Sequence, residues 1–269
     1  MEFGICIQSV VPVRSEPSHR SEMVTQVLFG ELIRIILHEK EWIRVQLAYD
    51  DYQGWICEPQ YQVLTETEFL DLFNKETAVT TDLVQLLSNE TRKSILPVLL
   101  GSSLPGFDGK KFIISGETYF FEGQVSGSVQ SNAEPVSPGL ATSGQSIAND
   151  ALLYLNAPYL WGGRTPFGID CSGFVQMVYK LRKIRLLRDA WQQATQGEAL
   201  NLITEAEPGD LAFFDDVEGN IIHTGLIIDK THIIHASGRV RIDPIDHEGI
   251  FNEELQNYTH RLRVIKRIV

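Results

Sequence analysis

The sequence predicts two small all-β units followed by an α+β domain in this 269-residue chain. Three observations carry that expectation. Residues 1–125 are filled with short β-rich runs broken by polar turns, roughly every 8–12 residues. A stretch rich in Ser, Gly, Pro and Asn, at 124–145, has too little apolar surface to bury and reads as a connector. Beyond it, helices give way to a run of strands, the order of an α+β fold. At roughly 150 residues per domain the length predicts about two domains, with one or three also allowed.

The expected divisions are 1–65, 66–125, a linker at 126–145, and 146–269. In the first, strands are expected at Val10–Arg14, Val24–Leu28, Leu32–Leu37, Trp42–Leu47 and Gly54–Ile56, with a break at Ser15-Glu16-Pro17-Ser18 and a turn at Gly30. A helix from Glu66 to Asn74 opens the second, followed by strands at Ile95–Leu99, Phe112–Ile114 and Tyr119–Gly123. The last begins with a helix from Ile147 to Leu155. A second helix follows Cys171, with Phe174, Val178 and Leu181 at core-facing spacing, and a third follows the N-cap Asp189. Strands then come at Leu211–Phe214, Ile221–Ile228, Ile233–Ala236 and Leu262–Ile265.

Thirty-five acids against 23 bases give a net charge of −12, which argues against a nucleic-acid partner and against docking on an anionic membrane. No run approaches the roughly 20 apolar residues of a membrane helix, so no membrane insertion is expected. Met1–Cys6 has no basic stretch followed by an apolar one, so a cytoplasmic protein is expected, with export the alternative if a leader has been removed. Nothing in the sequence sets an oligomeric state. The three cysteines, Cys6, Cys57 and Cys171, are too few and scattered for a disulfide framework; Cys6 and Cys57 are expected in the core.

Asp170-Cys171-Ser172-Gly173-Phe174 falls where a loop becomes a helix. A thiol there meets the positive end of the helix dipole, which favours thiolate; the alternative is a buried small hydrophobe. Downstream, Ile221–Ile228 and His232–Ser237 would pair through a three-residue turn, Asp229-Lys230-Thr231. Gly225 then lies opposite His235, with His223 on the same face one diagonal away, at roughly 7–8 Å between β-carbons. That spacing lets His235 orient His223 as a general base. A zinc site from His223, His235 and Cys171 lacks closely spaced paired ligands, so no metal is expected. His19, His38, His232, His247 and His260 show no partner pattern and are expected at the surface. Twelve residues before Cys171, Tyr159-Leu160-Trp161-Gly162-Gly163 either packs the domain or supplies a Tyr159 hydroxyl to an oxyanion beside the Cys171 amide. Gly101-Ser102-Ser103 lacks the Lys and helix of a phosphate loop.

Taken in order, Tyr159-Leu160-Trp161-Gly162-Gly163, Asp170-Cys171-Ser172-Gly173-Phe174, Pro208-Gly209-Asp210-Leu211, His223-Thr224-Gly225 and His235-Ala236 resemble the NlpC family of papain-like cysteine peptidases. The N-terminal units resemble the bacterial SH3-like (SH3b) barrels that precede such domains. The strings carrying this are Glu22–Gln26, Gly30-Glu31 and Tyr52–Ile56, then Leu104-Pro105-Gly106 and Tyr119–Gly123.

The resemblance implies a papain-like α+β fold, no cofactor, and hydrolysis of murein peptides between γ-D-glutamate and a diamino acid. It implies Cys171 as nucleophile, His223 as base, His235 as orienting residue and Tyr159 at the oxyanion. Asp170, with Tyr52 and Glu22 of the first barrel, would bind the free amine of a terminal L-Ala. Ser172, Arg188 and Trp161 would bind substrate, Ser172 and the Arg188-Asp189-Ala190 segment near the D-Glu carboxylate. Ala190 stands where some relatives have Ser. An amine-reading site would exclude glycan-linked peptides. The rival readings are a non-catalytic wall-peptide binding protein and an amidase or acyl hydrolase of the same fold.

Overall fold

The computed structural model describes residues 2–58, 60–126 and 143–269. The chain forms two compact units, Met1–Ala133 and Glu134–Val269. Apart from its ends, the expected linker at 126–145 lies outside the described residues. Among the described residues no helix is long and apolar enough to cross a membrane.

The first unit begins with β1 (Glu2–Ile5), β2 (Val10–Arg14), β3 (Met23–Leu28), β4 (Leu32–Glu39), β5 (Trp42–Leu47), β6 (Gln53–Cys57) and β7 (Gln62–Leu64). They form one sheet in the order β3-β2-β6-β5-β4-β1-β7. Period-two alternation turns Val11, Val13, Ile33, Ile35, Ile43 and Val45 inward to a common core with Cys6, Val27 and Ile56. Helix α1 (Glu66–Asn74) starts at a capping box between Thr65 and Glu68 and buries Phe69 and Leu72. The strands β8 (Thr77–Thr80), β9 (Val84–Asn89), β10 (Ser94–Leu99), β11 (Ser103–Pro105), β12 (Lys111–Ile114), β13 (Glu117–Phe121) and β14 (Val125–Ser126) follow. They make a four-stranded sheet, β10-β9-β13-β12, and a three-stranded one, β11-β8-β14.

The two β units share a core. Phe3, Ile5, Phe29 and Leu64 pack with Leu87, Val98, Leu104, Phe112 and Phe121. The Ser103 amide also donates to the Phe29 carbonyl at 2.8 Å. Cys6 is buried as expected, whereas Cys57 is only half-buried because it ends its strand. His38 is exposed as expected but has partners, with Nδ1 3.0 Å from Glu58 and Nε2 2.9 Å from Glu2.

In the second unit α2 (Gly144–Ala151) runs into a 3-10 turn at Leu152–Tyr154, a few residues earlier than the expected helix. A short hairpin, β15 (Arg164–Thr165) and β16 (Gly168–Ile169), leads into α3 (Cys171–Leu181), and α4 (Ala190–Gln193) is a single turn. The strands are β17 (Glu198–Leu200), β18 (Leu211–Asp215), β19 (Ile221–Ile227), β20 (His232–Ser237), β21 (Arg239–Pro244), β22 (Gly249–Asn252) and β23 (Asn257–Arg267). They form one sheet, β17-β23-β18-β19-β20-β21, with β22 paired to β23.

All eleven residues of α3 are buried. The helix is wedged between the sheet, where it packs on β19 and β20, and α2. Arg182 grips Asp150 of α2 through Nε and Nη2, at 2.5 and 2.8 Å. The β19–β20 hairpin has the expected register, with the Ile228 amide donating to the His232 carbonyl at 3.1 Å and Gly225 opposite His235. A β-carbon on Gly225 would lie 2.8 Å from that of His235, so only glycine lets the histidine seat there. The end of α3 that carries Cys171 therefore packs on the strand that carries His223.

Candidate active site

The turn before α3 is built around one carboxylate. Asp170 caps the helix by accepting from the Gly173 amide at 2.6 Å, and also accepts from the Gly162 amide at 2.8 Å. Arg188 donates to both its oxygens, at 3.0 and 2.6 Å, and to the Ser172 hydroxyl at 2.9 Å. Asp170 and Arg188 are buried, at 6% and 1% exposure. A β-carbon on Gly173 would lie 2.3 Å from the Gly163 carbonyl oxygen, which explains the glycine two residues after the cysteine. These contacts hold Cys171 at the first position of α3, where its own N–H has no helical acceptor.

The carboxylate that the resemblance assigns to a substrate ammonium also makes these contacts within the turn. Two backbone amides, the Arg188 guanidinium and the Ser172 hydroxyl donate to it, and Arg188 offsets its charge.

On the strands against which α3 packs lies a relay of buried side chains. His223 Nε2 lies 2.8 Å from His235 Nδ1, and His235 Nε2 lies 2.9 Å from Asp243 Oδ2. Arg241 donates to Asp243 Oδ1 at 2.8 Å. Burial works against ionising Asp243, but hydrogen bonds from His235 and Arg241 outweigh it and hold the carboxyl below its ordinary range. An ionised Asp243 sets the tautomers. It accepts from His235 Nε2–H, which leaves His235 Nδ1 to accept from His223 Nε2–H. His223 is left with a bare Nδ1, the form a general base for the thiol requires.

A third imidazole is present. His260, expected at the surface, lies flat against His223 with ring centroids 4.1 Å apart. The nitrogens of His223, His235 and His260 come within 4.8 Å of one another. Imidazole binds a metal along its in-plane lone pair, however, and two stacked rings cannot both aim that lone pair at one ion. The arrangement suits ring packing.

Burial dominates the electrostatics. The His223 pKa falls well below 6.5, through burial first and then the neighbouring His235 and His260. His235 falls for the same first reason, against the pull of Asp243. The Cys171 thiol is pushed up from 9.0 to about 12, mainly by burial and then by Asp170; the Thr224 and Ser172 amides oppose this only in part. The expectation that the helix dipole favours thiolate is therefore corrected. A dipole contribution of about 1 kcal/mol cannot offset removal of the sulfur from water. Both shifts run toward the uncharged forms, a thiol and an imidazole.

The pH dependence follows in sign. His260 falls from 6.5 to about 4, through burial and then His235. Its contribution to stability is complete above 6.5 and is lost as pH falls from there through about 4, and those of His223 and His235 are lost in the same direction. The thiol contribution is complete below 9 and is lost as pH rises toward about 12. The melting temperature should therefore be highest between about pH 6.5 and 9. A melting temperature that still rose on acidification below about pH 6 would contradict these burials.

Tyr159 is half-buried; burial, then the charges of Cys171 and Asp170, hold its proton on, so the hydroxyl remains a donor. Trp161 is 59% exposed, and Ala190 is buried at the start of α4. Within the second unit the structure gathers Cys171, Ser172, Asp170, Arg188 and Tyr159 at one turn, and His223 with His235 beside it. Tyr52 and Glu22 belong to the first unit. Tyr52 is half-buried against that unit's core, and Glu22 is exposed just before β3.

Residues 156–259 match the NlpC/P60 family, and residues 13–58 match the bacterial dipeptidyl-peptidase Sh3 domain. The chain is 32% identical over 245 residues to a gamma-D-glutamyl-L-lysine dipeptidyl-peptidase of Bacillus subtilis (strain 168), an alignment covering 87% of this chain and 75% of the relative. The chain belongs to the NlpC/P60 family. Dipeptidyl-peptidase 6 of Lysinibacillus sphaericus is 26% identical, over 91% of this chain and 92% of its own. The fold agrees with the crystal structure of an NlpC/P60 family protein from Bacillus cereus ATCC 10987, with a TM-score of 0.78 and 20% identity, over 99% of both chains.

Two residues of this NlpC/P60 site escape sequence reasoning. Asp243 lies in Arg239-Val240-Arg241-Ile242-Asp243, where the apolar residues would be expected inside; instead Ile242 is 37% exposed and Asp243 only 2%. His260 lies one residue beyond the family match, amid exposed neighbours Tyr258, Thr259 and Arg261. A charged residue eight positions after His235, on a strand returning through the tight turn at Gly238, is the one signal that points to Asp243.

Proposed function

We propose that this protein is a cysteine peptidase that cleaves the amide between γ-D-glutamate and the following diamino acid of cell-wall peptides, releasing L-Ala-γ-D-Glu. The observation that carries the reading is the thiol at the start of α3, packed against the strand of a His223–His235–Asp243 relay with its base nitrogen bare. The similarity to the gamma-D-glutamyl-L-lysine dipeptidyl-peptidase of Bacillus subtilis supports the choice of bond.

In this mechanism sulfur attacks the γ-carbonyl carbon as its proton passes to His223 Nδ1. The new imidazolium donates through His235 to Asp243, whose charge offsets it. The oxyanion is met by the Cys171 N–H at the positive end of α3 and by the Tyr159 hydroxyl. Collapse breaks the C–N bond, and His223 returns its proton to the leaving amine. Water, losing a proton to His223, then cleaves the thioester and restores the thiol. No cofactor is required.

Ser172 and the Arg188 segment contact the D-Glu carboxylate in this reading, Ala190 offering no hydroxyl, and Trp161 lines the approach. The reading includes recognition of the free L-Ala amine of the substrate. Such recognition limits the enzyme to released peptides, hence to recycling, which suits a cytoplasmic site of action.

The test incubates L-Ala-γ-D-Glu-diaminopimelate and its L-Lys counterpart, with the alanine amine free or acetylated, and follows products by mass spectrometry. Free-amine peptides should release the dipeptide, and acetylation should slow this about 10²-fold, because a site built for a polar group rejects its absence. Intact peptides would refute the peptidase reading. Undiminished cleavage of acetylated peptide would refute amine recognition.

A further inference from the structure

His260 reaches the site from β23, a strand that the relay does not use. Its ring plane is 26° from that of His223. His235 meets the same His223 ring edge-on, at 85°, with the hydrogen bond between them. The two contacts constrain different motions. A single hydrogen bond fixes one nitrogen but lets the imidazole swing about that bond. A flat partner on the ring face removes the swing.

His260 is itself held in place. Its Nδ1 lies 2.9 Å from the Thr259 hydroxyl, and Phe214 turns an edge toward its ring at 5.9 Å. Its backbone pairs with Ile250 beside a β-bulge, and a β-carbon on Gly249 would lie 1.8 Å from its carbonyl oxygen. That bulge re-aims β23 so that His260 turns toward the relay. The ionisable groups around it are His223 from β19, His235 from β20 and Asp243 from β21.

We propose that His260 is a positioning residue for His223: lying flat on its ring, it locks the rotation that presents Nδ1 to the Cys171 thiol. This rests on the reading of Cys171 and His223 as nucleophile and base. Its part is that of a neutral aromatic face, since a cation there would oppose the imidazolium that His223 must become. A phenyl ring should therefore replace it, and an aliphatic side chain of similar bulk should not.

The experiment compares wild type, His260→Phe and His260→Leu. It reads kcat and KM on the free-amine tripeptide, the rate of Cys171 alkylation by iodoacetamide at pH 7, and thermal unfolding. Leucine should lower kcat about tenfold with KM within about twofold, and slow alkylation to match. Phenylalanine should keep both rates within about threefold of wild type. Wild-type rates in His260→Leu would overturn the proposal, as would His260→Phe as slow as His260→Leu. If wild type leaves the tripeptide intact, the peptidase reading fails, while the alkylation rates still decide the role of His260.

Discussion

Replacing His223 by alanine is expected to lower kcat on the free-amine tripeptide about 10³-fold, with KM within a few fold. The magnitude is that of losing a general base. Burial pushes the Cys171 thiol up, which favours attack assisted by a base that takes the proton as the C–S bond forms. In the proposed mode the substrate contacts fall to the α3 turn, so binding should survive. Steady-state rates by product chromatography check this. A loss smaller than about tenfold would mean that another group deprotonates Cys171.

Replacing Arg188 by alanine is expected to destabilise the catalytic unit by about 3–5 kcal/mol. Its guanidinium is 1% exposed and neutralises a carboxylate that is 6% exposed. Without it Asp170 keeps its two amide bonds but remains a buried, uncompensated charge. Asp170→Ala should cost more still, because it removes the helix cap and leaves Arg188 facing a second buried guanidinium, Arg164. Urea unfolding of each variant measures both losses. A loss under about 1 kcal/mol for Arg188→Ala would show that water reaches the pair.

Much of the site was legible because its determinants are local. Asp170 and Gly173 frame a helix start by residue type, and Gly225 opposite His235 follows from turn length and the two-residue repeat of a strand. What escaped depends on distant packing. Asp243 points inward against the apolar alternation of its own strand, because the charge of Arg241 and the imidazole of His235 make a buried place for it. His260 faces the relay through a bulge that no periodicity announces. The dipole argument for thiolate was sound locally and lost to a burial that only the folded unit imposes. Likewise, the all-β runs of the first 125 residues were readable as strands, but Phe29 packing with Phe112 joins segments more than eighty residues apart.

A single mass measurement bears most directly on whether Cys171 performs the attack. Wild-type protein mixed with excess L-Ala-γ-D-Glu-L-Lys, quenched in acid within one turnover and digested, should carry the L-Ala-γ-D-Glu acyl group on the peptide containing Cys171, while Cys171→Ala carries none and leaves the tripeptide whole. Dipeptide released by Cys171→Ala at the wild-type rate would assign the chemistry to a different group.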